Sequence, residues 1–81
     1  MDTKKIGKII HFHRKKSGLT QKQLAELADV GKSVIFDIEK GKESIQLNSL
    51  KKILEALNIT MELKSPLIHL TEINDEKSQS I

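Results

Sequence analysis

The sequence predicts an all-α domain of four to five short helices, followed by one short β-strand near its C-terminal end. Three observations carry that reading. Apolar residues recur at helical spacing in four stretches, and capping and stop residues punctuate the gaps between them. After Asn58 the pattern changes, and Ile59-Thr60-Met61-Glu62-Leu63-Lys64 alternates apolar and polar as a half-buried strand does. A chain of 81 residues makes one domain, here residues 1–70, with a core small enough that helix packing or oligomerisation must complete its stability.

Met1 to Thr3 are expected to fray. From about Lys4 to Ser17 a stripe of Ile6, Ile9, Ile10, His13 and Ser17 marks the first helix, and Gly18 ends it. The far side carries Lys4, Lys8, Lys15 and Lys16, a solvated face from which one or two lysines could reach phosphate. Thr20 is a good N-cap for the second helix, Gln23 completes a capping box, and Leu19 and Leu24 have the spacing of a hydrophobic staple. That helix runs to about Ala28, with Leu24, Ala25, Leu27 and Ala28 on one side. Asp29-Val30-Gly31 breaks it, and Gly31 caps a third helix less well than Ser or Thr would. Gly41 can take the left-handed conformation that stops the third helix. After a loop, Leu47, Leu50, Ile53, Leu54 and Leu57 mark a fourth helix that closes the core, with Asn58 as its left-handed stop.

A lone strand over 59–64 leaves amides and carbonyls without partners. Ser65-Pro66 ends it, and Leu67-Ile68-His69-Leu70 is a second apolar segment. The strand could fold into a hairpin with 67–70 or pair with its counterpart in a second copy. The intermolecular pairing is expected, since a two-fold homodimer would share Ile59, Met61 and Leu63 between subunits. Residues 71–81 have the composition of a disordered tail.

Composition narrows the function. Cysteine is absent, so no disulfide or thiolate metal site is expected, which fits a reducing, cytoplasmic compartment. No apolar run is long enough to cross a membrane, and no signal-peptide pattern opens the chain. Residues 1–70 hold thirteen basic against eight acidic side chains, a net of +5, whereas 71–81 hold one against three, a net of −2. The basic part is the folded part, which suits a polyanionic partner. His11 and His13 are two apart and His69 is distant, so the spacing of helical metal ligands is missing. There is no nucleophile elbow, catalytic acid pair or Gly-rich phosphate loop, so neither enzyme nor cofactor is expected.

Helix, tight turn, helix and glycine stop over Leu19 to Gly41 form a unit of the kind that reads DNA. On the third helix Val34, Ile35 and Ile38 share the arc that must pack. Lys32, Ser33, Phe36, Asp37 and Lys40 share the opposite arc. Lys32, Ser33, Phe36 and Asp37 are therefore the candidate base contacts, with lysine donating to guanine, Asp37 accepting from cytosine and Phe36 touching thymine methyls. The competing readings are that Phe36 packs on a neighbouring helix or a dimer mate, and that Asp37 bridges to Lys40 or Lys32. Gln21 at the start of the second helix, Lys40 and Lys42 are the candidate phosphate contacts. Arg14 is the only arginine beside thirteen lysines. A partly buried Arg14–Glu39 bridge would lock the first helix to the third, the alternative being a phosphate role for Arg14.

The motifs Gly18-Leu19-Thr20-Gln21-x-x-Leu24-Ala25, Val30-Gly31-x-Ser33-x-Ile35-x-x-Ile38-Glu39-x-Gly41 and Leu47-x-x-Leu50-x-x-Ile53-x-x-Ala56-Leu57-x-Ile59 resemble the lambda-repressor-like, Cro-like helix-turn-helix repressors of the Xre family. The resemblance covers Ile6 to Ile59. It implies that the first half of the third helix, Lys32 to Asp37, enters the major groove, that Gln21 meets a phosphate, and that Arg14 and Glu39 bridge. Gly31 and Phe36 depart from the family pattern, where a Ser or Thr cap and a small polar residue are usual. The run Leu57 to Leu63 is similar to HipB-type antitoxins. That likeness implies a strand paired across the dimer, double-stranded operator DNA as partner, and a HipA-like serine/threonine kinase toxin held in the same autoregulated operon. The alternatives are a stand-alone phage or chromosomal Xre-type repressor, and a protein-interaction module that has lost DNA binding and buries Phe36.

Overall fold

The computed structural model describes residues 2–62 and contains four helices: α1 (Thr3–Lys16), α2 (Gln21–Ala28), α3 (Lys32–Glu39) and α4 (Leu47–Ala56). Each helix places one isoleucine or leucine in the solvent-free centre, namely Ile10, Leu24, Ile35 and Ile53. Ala25, Ala28, Ile38, Leu50 and Leu54 complete the core around them. Burial of each large side chain is worth about 1.5–3 kcal/mol, so these four anchors dominate the cohesion of the domain. Helix α3 packs on both α1 and α2, and α4 packs on α2.

Local chemistry explains the boundaries. The Asp2 carboxylate accepts from the amides of Lys4 and Lys5 at 3.0 and 3.3 Å. The Thr3 hydroxyl donates to the Gly41 carbonyl at 3.0 Å. The start of α1 is thus capped and tied to the end of α3, where fraying was expected. Thr20 and Gln23 form the reciprocal capping box at the start of α2. Asp29, Gly41 and Asn58 take left-handed conformations that end helices or turns, with φ of 59°, 86° and 58°.

Gly7 is required by close approach rather than by backbone angle. A Cβ there would collide with the carbonyl oxygen of Ile38 and come within 3.0 Å of that of Glu39. The α1 backbone therefore lies directly on the last turn of α3.

The apolar stripes are narrower than their spacing suggests. Ile9, Leu27 and Leu47, each expected to pack inward, are 43%, 62% and 63% exposed. Each sits at the flank of its stripe, and Leu47 also opens α4, with no preceding helical turn to shelter it. Phe12, which the periodicity did not single out, is exposed as well, with Lys16 over its ring. Of the expected strand over 59–64, only 59–62 lie among the described residues, and they form no ladder within the single chain. Leu63, Lys64, the segment 67–70 and the tail 71–81 lie outside the described residues.

Candidate nucleic-acid interface

The α2–turn–α3 unit holds one face of α3 outward. Ile35 and Ile38 are buried and Val34 is half-buried, which fixes the rotation of the helix. Lys32, Ser33, Phe36 and Lys40 are then exposed and Asp37 is half-exposed. Phe36 is 48% exposed, so no neighbouring helix among the described residues covers it. Its ring is instead partly covered by the Lys40 ammonium, 5.0 Å from the centroid. Gly31 precedes the helix in an extended conformation and offers no side-chain cap.

Asp37 pairs with Lys42 at 3.5 Å, and not with Lys40 or Lys32 as the sequence reading allowed. The reason is reach: Lys42 follows the glycine turn, and its amide already donates to the Asp37 carbonyl at 3.0 Å. Both side chains are substantially exposed, so this pair adds little stability and a competing phosphate or base can open it.

Behind this face lies a network from three helices. Arg14, on α1, is 7% exposed. Its Nε donates to Glu39 Oε2 at 2.6 Å, its Nη2 to Oε1 at 3.1 Å, and its Nη1 to the Leu19 carbonyl at 2.7 Å. Gln21, the first residue of α2, donates from Nε2 to Glu39 Oε1 at 3.1 Å. His11 Nδ1 lies 3.0 Å from the same oxygen and 3.3 Å from Arg14 Nη2. Burial pushes the Glu39 carboxyl up, but hydrogen bonds from Arg14, His11 and Gln21, with the Arg14 charge, outweigh it and hold the group below its ordinary value. The sequence spacing speaks of His11 only as a histidine without the spacing of a helical metal ligand. The signal for its role was its place three residues before Arg14, on the same helical face.

Of the expected dimer residues, Leu63 lies outside the described residues. Ile59 and Met61 line a shallow surface groove with Leu47, Lys51, Leu54 and Glu55. Among the described residues no cluster of His, Cys, Asp or Glu could hold a metal ion, and no helix is long and apolar enough to cross a membrane.

Two short helices across a tight turn, the second buried on one arc and cationic with an exposed aromatic on the other, define a helix-turn-helix domain. A model of the helix-turn-helix family matches residues 10–64. The chain is 33% identical over 61 residues to an uncharacterised HTH-type transcriptional regulator, y4mF, of Sinorhizobium fredii, spanning 75% of this chain and 80% of that one. It is 34% identical over 56 residues to a competence pilus inhibition repressor of Acinetobacter baylyi, spanning 69% of this chain and 51% of the repressor. Among solved structures, the restriction-modification controller protein C.AhdI of Aeromonas hydrophila superposes with a TM-score of 0.66 at 29% identity, over 72% of this chain and 88% of its own. A chain of the HipA–HipB–O2–O3 complex superposes with a TM-score of 0.73 at 23% identity, over 82% and 93%, a likeness of fold. The protein belongs to the helix-turn-helix family, as a transcriptional regulator of the Xre type.

Proposed function

We propose that this protein is a sequence-specific operator-binding repressor that acts as a homodimer in the cytoplasm. The observation that carries the reading is the outward arc of α3, where Lys32, Ser33, Phe36 and Lys40 are exposed on a helix whose opposite side is locked into the core. Lys32, Ser33, Phe36 and Asp37 would read base edges in the major groove, while Gln21, Lys40 and Lys42 fix the phosphate register. The Arg14–Glu39 bridge serves this face from behind. Residues 1–70 would form the DNA-binding and dimerisation unit. Ile59, Met61 and Leu63 would pair across the two-fold axis and cover the groove beside Leu47, with 71–81 as a tail. Two copies then present two α3 helices to half-sites about 10 bp apart.

The fold likeness to the HipB chain supports a finer reading, in which the repressor is the antitoxin of a HipA-like serine/threonine kinase and autoregulates their operon. The higher identity to C.AhdI supports a second reading, a stand-alone regulator with no toxin partner. Selection from a random duplex pool, followed by titration of the selected site, tests the shared part. Lys32→Ala should cost about 1–3 kcal/mol and relax specificity at one position. Wild-type affinity that is indifferent to sequence would overturn the repressor reading in favour of a protein-interaction module. Co-purification with the product of the adjoining gene, assayed for protein kinase activity, separates antitoxin from stand-alone repressor.

A further inference from the structure

Helix α1 has two unlike sides. Gly7, Ile10 and Arg14 are buried, with Gly7 seated on the carbonyls of α3. At about 100° per residue, Lys5 and Phe12 fall on the opposite side, flanked by Lys8, Ile9 and Lys16. All five are exposed, Ile9 by 43% and Phe12 by 55%. The Phe12 ring has partial cover from His13, edge-on at 5.3 Å, and from the Lys16 ammonium at 5.9 Å. Of the fourteen residues of α1, six are basic and none is acidic. The outward face is thus an apolar pair bordered by positive charge that the helix itself does not balance. Phosphate would satisfy the lysines and leave Ile9 and Phe12 in water. The face fits an acidic chain that also brings an apolar side chain.

The chain itself contains such a segment. Glu72-Ile73-Asn74-Asp75-Glu76 sets three carboxylates around one isoleucine, with no basic residue among them. It begins ten residues after Glu62, the last described position. Ten residues reach up to about 33 Å, and a domain of this size is about 25–30 Å across, so the segment can arrive at any face. The tether holds it at an effective concentration of the order of mM, at which weak contacts suffice. The α3 arc is a poorer match, because Asp37 already brings a carboxylate there and pairs with Lys42. We infer that the outward face of α1 is the docking site for residues 72–76 of the same chain. Ile73 lies against Ile9 and Phe12, and the carboxylates pair with Lys5, Lys8 and Lys16. Docked there, the segment neutralises a lysine face on the far side of α1 from α3 and lowers its attraction for polyanions at large. The inference stands whether or not α3 reads DNA.

The chain has no cysteine, so a single nitroxide can be attached at Ser78→Cys in the full chain. In NMR spectra the amides of Lys5, Lys8, Ile9, Phe12 and Lys16 should lose most of their intensity relative to the reduced label. They should regain it at about 0.5 M salt, where exposed charges are screened within a few ångström. The loss should also vanish when Glu72→Gln, Asp75→Asn and Glu76→Gln are combined, a change that touches none of the four helices. Phe12→Ser, at an exposed position, should leave thermal unfolding nearly unchanged and weaken the loss. Because Phe12→Ser alters no charge yet uncovers the lysines, it should bind heparin, a polyanion without base edges, about twofold or more tighter at low salt. No loss at α1, or loss centred on the α3 arc or the groove beside Leu47, overturns the inference. Equal loss with isotope and nitroxide on different copies overturns it too, by moving the segment to a second copy. Heparin affinity unmoved by Phe12→Ser does the same.

Discussion

Glu39 is the residue on which the candidate interface depends most. Its carboxylate is 4% exposed and receives donors from α1 and α2 while belonging to α3. Removing either partner of the ion pair strands the other as a buried charge, so Arg14→Ala and Glu39→Ala should each cost about 3 kcal/mol in denaturant unfolding. The double variant should cost less than the sum, because the second removal relieves the charge the first one strands. The carboxyl titrates below its ordinary value of 4.5 in the folded state. It therefore contributes stability that is fully present above that value and is lost as pH falls through the lower folded value. Acid unfolding of Glu39→Gln should lack this component, and a stability–pH profile below about pH 5 would display the difference. Lys42 is a different case, since its pair with Asp37 is exposed. Lys42→Ala should leave folding nearly unchanged, weaken binding to all duplexes alike and reduce the salt slope by about one unit.

At the scale of the element, α3 is the least well started helix of the motif. Its N-cap is Gly31, with no side-chain hydrogen bond, whereas α1 and α2 begin on Asp2 and Thr20 with caps in place. A Cβ at Gly31 would meet nothing closer than 3.8 Å, and φ is −74°. Gly31→Ser should therefore raise stability by about 0.3–1 kcal/mol, read as a shift in the unfolding midpoint. Caps and stops are where the sequence was most legible. Thr20 with Gln23, Gly41 and Asn58 are local signals, complete within a few residues, and they mark the boundaries of α2, α3 and α4. What escaped depends on neighbours distant in the chain. Periodicity placed Ile9, Leu27 and Leu47 on apolar stripes, but only the packed helices decide how wide a stripe is covered. Asp2 is the exception, a local cap that accepts from the amides of Lys4 and Lys5 where a frayed end was expected. The place of His11 beside Glu39 required knowing that α1 and α3 cross there.

For the whole molecule, the all-α helix-turn-helix architecture and its family were legible because three motifs along the chain point to the same packing. The assembly is the part that one chain leaves open, and the exposed apolar groups give it direction. Leu47 and Met61 are exposed beside Leu54 and Ile59. If that face and Leu63 join two subunits, a chain truncated after Asn58 should sediment as a monomer and bind its operator weakly. A truncated chain that still sediments as a dimer would place the interface elsewhere. Gly7→Ala tests the other large-scale contact. Its methyl would push α1 off the carbonyls of Ile38 and Glu39, and about 1–3 kcal/mol of stability should be lost. That contact and the Thr3 bond to Gly41 fasten α1 to α3 at two points. If two copies read an operator as proposed, helices fastened in this way leave accommodation to the duplex. Base pairs between the half-sites, touched by no side chain, should then influence affinity through their stiffness, and exchanging a flexible TA step there for a rigid A-tract should change Kd with every base contact preserved.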